Sequence, residues 1–277
     1  MFLTLQGFTL YQLFFYFIIY SVMGWTMETI LCSYNEKKFV NRGYLSGPYC
    51  PIYGVGMCLI ILTLSSYQDR LTDLFLGGIL VASTLEYFTG WLMEKLFHTK
   101  WWDYSDKKFN LHGRICLQIS LAWGVLSLVI IKVVQPFVNQ FVNWIPVNIG
   151  KVILIVFGII FIADAIHATI IAAHLSKKIH LINQIKADLH NLSLKLNPHP
   201  QEKLKNLTIN QLFANVASYL NTKKIENREN FQKRIAELIA NYRHTQHKSI
   251  FERRLQKAFP SMKSIPRKKR TNKTTKK

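Results

Sequence analysis

Asn41-Arg42-Gly43-Tyr44-Leu45-Ser46-Gly47-Pro48-Tyr49-Cys50-Pro51-Ile52-Tyr53-Gly54 lies between two apolar segments, and the fold is read outward from it. These fourteen positions hold one Arg, three Gly, two Pro, three Tyr and one Cys. Glycine admits backbone conformations closed to other residues. Gly47-Pro48 imposes a turn, and Pro51 suits the first turn of a following helix. The stretch reads as a structured loop at membrane depth, packed against protein. Non-helical backbone survives there only where protein or a wet cavity satisfies its polar groups. The alternative left open is a turn whose tyrosines sit at the lipid interface.

Outward from this loop the chain divides by charge. Residues 1–174 carry 11 Lys/Arg against 9 Asp/Glu, and residues 175–277 carry 24 against 6, within an overall charge of +20. The expected organisation is a transmembrane domain over 1–174 and a basic cytoplasmic helical tail over 175–277, disordered from about residue 263. A span needs about 20 apolar residues. Five stretches approach this, at about Leu10–Leu31, Pro51–Leu64, Leu74–Leu96, Ile115–Val134 (closed by Pro136) and Ile149–Ala173. The fold class is therefore all-α, an integral membrane helical bundle. No Lys or Arg precedes residue 37, so the first apolar stretch is read as a retained helix rather than a signal peptide. Cys32, Cys50, Cys58 and Cys116 form no CxxC pair and read as buried thiols.

Loops one and three hold eight basic residues against three in loops two and four. Positive loops stay cytoplasmic, which predicts an outside N-terminus and a cytoplasmic C-terminus in a multi-pass protein of the cell membrane. The third loop, Lys100-Trp101-Trp102-Asp103-Tyr104-Ser105 with Gly113-Arg114-Ile115-Cys116, resembles the first in kind: an Arg beside a Gly, an aromatic cluster, and a Cys near the next span. One reading is an interfacial aromatic belt. A sharper one has Arg42 and Arg114 converging on an anionic group, since guanidinium binds carboxylate or phosphate bidentately.

Ionisable residues inside a bilayer cost at least about 2.5–3.5 kcal/mol each, so they mark a pathway or a pair. Glu28, Glu86 and Asp164 lie in the spans. Asp164 shares a helix face with His167, Ile171 and His174, which would let it hold His167 beside a wet cavity. Two readings compete with this one: structural pairing of the acids with Arg42 and Arg114, and acids that are protonated and hydrogen-bonded inside the bundle. A metal site built from Glu28, Glu86, Asp164 and His167 has no ligand-spacing motif behind it, and no cofactor is indicated. Gly77-Gly78, Ser83, Gly90 and Gly124 read as close helix packing.

The tail opens with Leu175, Ile179, Ile182, Ile185, Leu189, Leu192 and Leu196, a heptad-like seam suited to a coiled coil or a docking helix and expected to continue the fifth span until Pro198 and Pro200. Further helices are expected near Ile209–Leu220 and Phe231–Tyr242, with a short basic amphipathic piece holding Ile250, Phe251, Leu255 and Phe259. The basic end suits anionic membrane lipid better than nucleic acid, because it is tethered at the membrane and lacks base-stacking aromatics.

The loop motif, Glu86, Trp101-Trp102-Asp103-Tyr104-Ser105 and Gly113-Arg114-Ile115-Cys116-Leu117 together resemble the ABC-transporter type IV (CmpB-like) family over about residues 10–170. These are small multi-pass membrane proteins, mostly of Gram-positive bacteria. The resemblance implies a permease-like transport subunit. No GxxxxGK[ST] motif is present, so an ATPase would be a separate subunit. The expected substrate site comprises Arg42, Arg114, Asp103, Glu28, Glu86, Asp164 and His167, meeting an anionic substrate or lipid headgroup, in a chain that could act as a homodimer. Two other readings stay open. One is a membrane-embedded enzyme acting on lipid through Asp103, His112 or Asp164-His167. The other is a scaffold or regulator acting through its basic tail.

Overall fold

A computed structural model of the chain describes residues 4–196, 208–222 and 228–265. A two-stranded ribbon, β1 (Thr4–Leu5) with β2 (Phe8–Thr9), leads into α1 (Leu10–Glu36). Thr9 and Gln12 cap α1 reciprocally, with the Thr9 hydroxyl accepting the Gln12 N–H and the Gln12 carboxamide accepting the Thr9 N–H at 2.9 Å. The helix closes on Lys37 in the left-handed conformation. Then follow α2 (Pro51–Leu64), α3 (Leu71–Phe97), β3 (Thr99–Lys100), a hairpin of β4 (Asn110–Leu111) and β5 (Ile115–Cys116), α4 (Leu117–Val129), α5 (Gln135–Trp144) and α6 (Val147–Leu196). The remaining elements are α7 (Ile209–Thr222), α8 (Arg228–Gln246), α9 (Ile250–Ala258) and β6 (Lys263–Ser264).

Among the described residues, four helical stretches are long and apolar enough to span a membrane: Leu10–Glu36, Leu71–Phe97, Leu117–Trp144 and Val147–Leu192. The helix expected at Pro51–Leu64 forms, but its 14 residues reach only about 21 Å at 1.5 Å per residue. That is short of the hydrocarbon thickness of about 30 Å. The fourth span does not close at Pro136. A π-helical turn over Ile130–Val134 joins α4 to α5, with the Gln135 N–H bonded to the Ile130 carbonyl. Its wider winding places Pro136 in the first turn of α5, where a missing N–H costs little.

The small residues of α3 and α4 do pack closely. A Cβ at Gly78 would meet the Ser127 hydroxyl, one at Gly124 would meet Phe75, and the Ser83 hydroxyl donates to that of Ser120 at 2.8 Å. The glycines of the first loop work by close approach, since neither Gly43 nor Gly47 has a positive φ. A Cβ at Gly47 would run into the Tyr49 ring.

The chain forms two compact units, residues 173–250 being one of them. In that unit the seam side chains Ile185 and Leu189 are buried with Leu212 and Leu238, so the heptad-like pattern serves a local helical core. The Leu196 side chain and the Pro198-Pro200 stop lie outside the described residues. The other unit holds the first 172 residues together with those from Phe251 on. The basic stretch from 175 onward is thus shared between the two. Lys263–Ser264, expected to begin a disordered run, instead pair antiparallel with Thr99–Lys100.

Candidate functional site

Glycine at position 24 builds the site from the sequence up. A Cβ there would fall within the Tyr53 ring, so its absence lets α2 lie close against α1. Four residues on, Glu28 occupies the same face of α1, and its Oε1 accepts the Tyr53 hydroxyl at 2.6 Å. Its Oε2 stands 3.6 Å from the Nε of Arg42. The Arg42 guanidinium also lies over the Phe259 ring, 5.0 Å from its centroid. On α3, Glu86 is only 7% exposed. Its Oε1 accepts the Tyr104 hydroxyl at 3.2 Å and its Oε2 accepts the Trp123 Nε1–H at 3.0 Å. Indole can only donate, so Glu86 Oε2 is an acceptor here. No cationic side chain among the described residues pairs with Glu86.

These groups face a cavity of about 240 Å³ whose walls are Glu28, Arg42 and Glu86 together with Tyr44, Trp102 and Tyr104. Burial, and next the charge of Glu86, push the Tyr104 hydroxyl well above the ordinary tyrosine range, so it is a donor at neutral pH. A second cavity of about 180 Å³ adjoins the first and shares Ile52, Tyr53, Glu86 and Trp123 with it. Its other walls are mostly apolar, with Met23, Met27, Met57, Leu85, Leu126 and Ile130 among them and Ser127 as a polar exception.

The remaining predicted site residues go elsewhere. Arg114 does not converge with Arg42. Its Nε and Nη2 donate to Glu94 Oε2 at 3.1 and 2.5 Å, and its Nη1 donates to the Tyr87 hydroxyl at 2.9 Å. The Glu94 carboxylate raises the Arg114 pKa above the ordinary arginine value. Asp103 accepts from the Ser105 hydroxyl and N–H, the main reason its pKa falls below the usual carboxylate range, and Lys100 and Lys263 stand 3.5 and 3.8 Å away. Asp164 does not hold His167. Its oxygens accept the Ser46 and Gly47 N–H groups and the Tyr49 hydroxyl. His167 packs edge-on against Phe251.

Several contributors carried no sequence signal that singled them out. Trp123 reads as one more apolar residue of a span, and Glu94 as a helix-end charge. Arg254 reads as part of a basic amphipathic piece. In the structure its guanidinium donates to the carbonyls of Gly43, Leu45 and Tyr44 at 3.0, 3.0 and 3.1 Å. Burial lowers its pKa, and only residual charge attraction offsets this. Phe259, five residues on, packs against Trp101 and closes one side of the larger cavity.

The four long apolar helices define an all-α integral membrane bundle. Residues 15–169 match the family described as "Putative ABC-transporter type IV", and the chain belongs to that family. Nothing matches among the curated proteins or the solved structures. The resemblance carried by the two loop motifs is thus confirmed, and with it a membrane protein of a transport-related family.

Proposed function

We propose that the chain is a permease-like subunit that takes its substrate into the two adjoining cavities and works with a separate ATPase. The observation that carries this is the shared wall of Ile52, Tyr53, Glu86 and Trp123, which joins an apolar chamber to a polar one inside a membrane bundle. Binding sites of this kind are mostly apolar, with a few placed polar groups fixing orientation. Charged residues in a span mark such sites; Glu86, buried in α3, and Glu28, in α1, supply them here, with Arg42 of the first loop beside Glu28. The separate ATPase follows from the lack of a phosphate-binding loop in the sequence.

The test is purification of the tagged full-length chain from native membranes, with bound proteins and lipids identified together. Stoichiometric recovery of an ATP-binding-cassette ATPase, whose ATP hydrolysis rises on adding the chain, supports the permease reading. Turnover of a lipid by the purified chain without ATP would replace it with the enzyme reading.

A further inference from the structure

We infer that the two cavities form one site for an amphiphile whose head carries a single positive charge, an amine or quaternary ammonium, with its apolar tail in the smaller chamber. This rests on the reading of the cavities as the substrate site and names the class of substrate. Three charged side chains line the larger cavity: Glu28, Arg42 and Glu86. Arg42 stands 3.6 Å from Glu28 and lies over the Phe259 ring, so its charge is balanced by that of Glu28. Glu86 accepts from two neutral donors and pairs with no cation among the described residues, so its carboxylate form is a buried charge that only a bound cation would neutralise. A carboxylate removed from water without a counter-charge is costly, and a bound cation relieves that cost.

The aromatic content of the same walls points the same way. Tyr53, Trp102, Tyr104 and Trp123 line the cavity beside Glu86, and the Tyr53 and Trp123 rings lie 5.6 Å apart, tilted by 55°. Aromatic faces attract ammonium groups, and aromatic cages are the recurring way proteins hold quaternary or methylated ammonium. They offer nothing comparable to a phosphate. Arg114 is bound to Glu94 and is not among the residues lining the cavity, so its walls carry two carboxyl groups against the one guanidinium of Arg42. Next to the head site, the chamber lined by Met23, Met27, Met57 and Leu85 is almost wholly apolar, and flexible thioethers adapt to tails of varied shape.

The experiment titrates full-length protein in neutral detergent with dodecyltrimethylammonium, a dodecylammonium salt and dodecyl phosphate, following tryptophan fluorescence. Trp101, Trp102 and Trp123 all line the cavity. Saturable binding of the two cationic probes is expected, at least tenfold tighter than the phosphate. Shortening the tail should weaken binding by about fourfold per methylene, the hydrophobic increment of a buried CH2. Glu86→Gln should cost about tenfold or more, as loss of a charge-assisted contact does, whereas Glu36→Gln, at the far end of α1, should cost nothing. The two ammonium probes separate a permanent charge from a titratable amine, since aromatic caging alone favours the first.

Tighter binding of dodecyl phosphate would overturn the inference while leaving the cavities as a substrate site. Saturable binding of none of the probes would also overturn the inference, and the recovery of an ATPase then decides the permease reading separately. Should Glu86→Gln fail to fold, the wild-type preference between cationic and anionic heads decides the matter alone.

Discussion

Asp164 Oδ2 accepts the backbone N–H of Gly47 at 2.9 Å, tying the middle of α6 to a loop 117 residues earlier in the chain. The same carboxylate takes the Ser46 N–H and the Tyr49 hydroxyl. Three donors on one carboxylate fix the loop backbone where Gly47-Pro48 turns, so Asp164 positions the loop that supplies Arg42 and Tyr44 to the cavity.

Replacing Asp164 by Ala should therefore loosen the loop rather than abolish a proton step. The half-buried donors left behind predict a loss of about 2 kcal/mol, read as a lower melting temperature in detergent. Asp164→Asn, which keeps one acceptor, should lose less. Equal losses for the two would show that the charge, not the geometry, matters.

The spans and both structured loops were legible because apolar runs and Gly-Pro-Tyr composition are local signals. The cavity charges were half legible. Glu28, Arg42 and Glu86 stand out as ionisable residues in or beside spans, but their partners do not. Tyr53, Tyr104 and Trp123 look like interfacial or apolar residues until the fold turns their polar atoms inward. Pro136 misled because a π turn absorbs it, and a π turn has no sequence pattern of its own. Arg254 was not legible at all, since its partners are main-chain carbonyls, which every sequence offers equally.

Arg254 gives a second expectation. Its fork holds three consecutive carbonyls, and β6 pairs with β3 beyond it. Arg254→Ala should free residues 251–265, seen as faster proteolysis at the Arg and Lys sites there with the spans left intact. Arg254→Lys should not restore protection, because an ammonium cannot reproduce the planar fork. Unchanged cleavage in both variants would mean that Phe259 and β6 suffice to hold the segment.

The Arg114–Glu94 pair predicts a structural effect separable from binding. Both side chains are mostly buried, at 17% and 11% exposure, and meet through two hydrogen bonds. Removing either partner should destabilise by about 3 kcal/mol, while the double variant Arg114→Met with Glu94→Leu should recover much of that loss. Thermal melts of the single and double variants measure the coupling. Additive losses would show that the two residues act independently.

Asp103 supplies the pH dependence. Its pKa is lowered from 3.8, first by the Ser105 hydroxyl and then by the Ser105 N–H and Lys100. A carboxyl whose folded value is depressed adds stability that is present above the unfolded value and lost as the pH falls through the folded one. Melting temperatures of the wild type and Asp103→Asn should therefore differ at pH 6 and converge as the pH drops below 3.8. Lys263 of β6 stands 3.8 Å from the same carboxylate, so protection of residues 263–265 from hydrogen exchange should fall over the same range. An offset between the two melting curves that stays constant from pH 6 to the lowest pH reached would assign the effect of Asp103→Asn to lost hydrogen-bond geometry and not to charge.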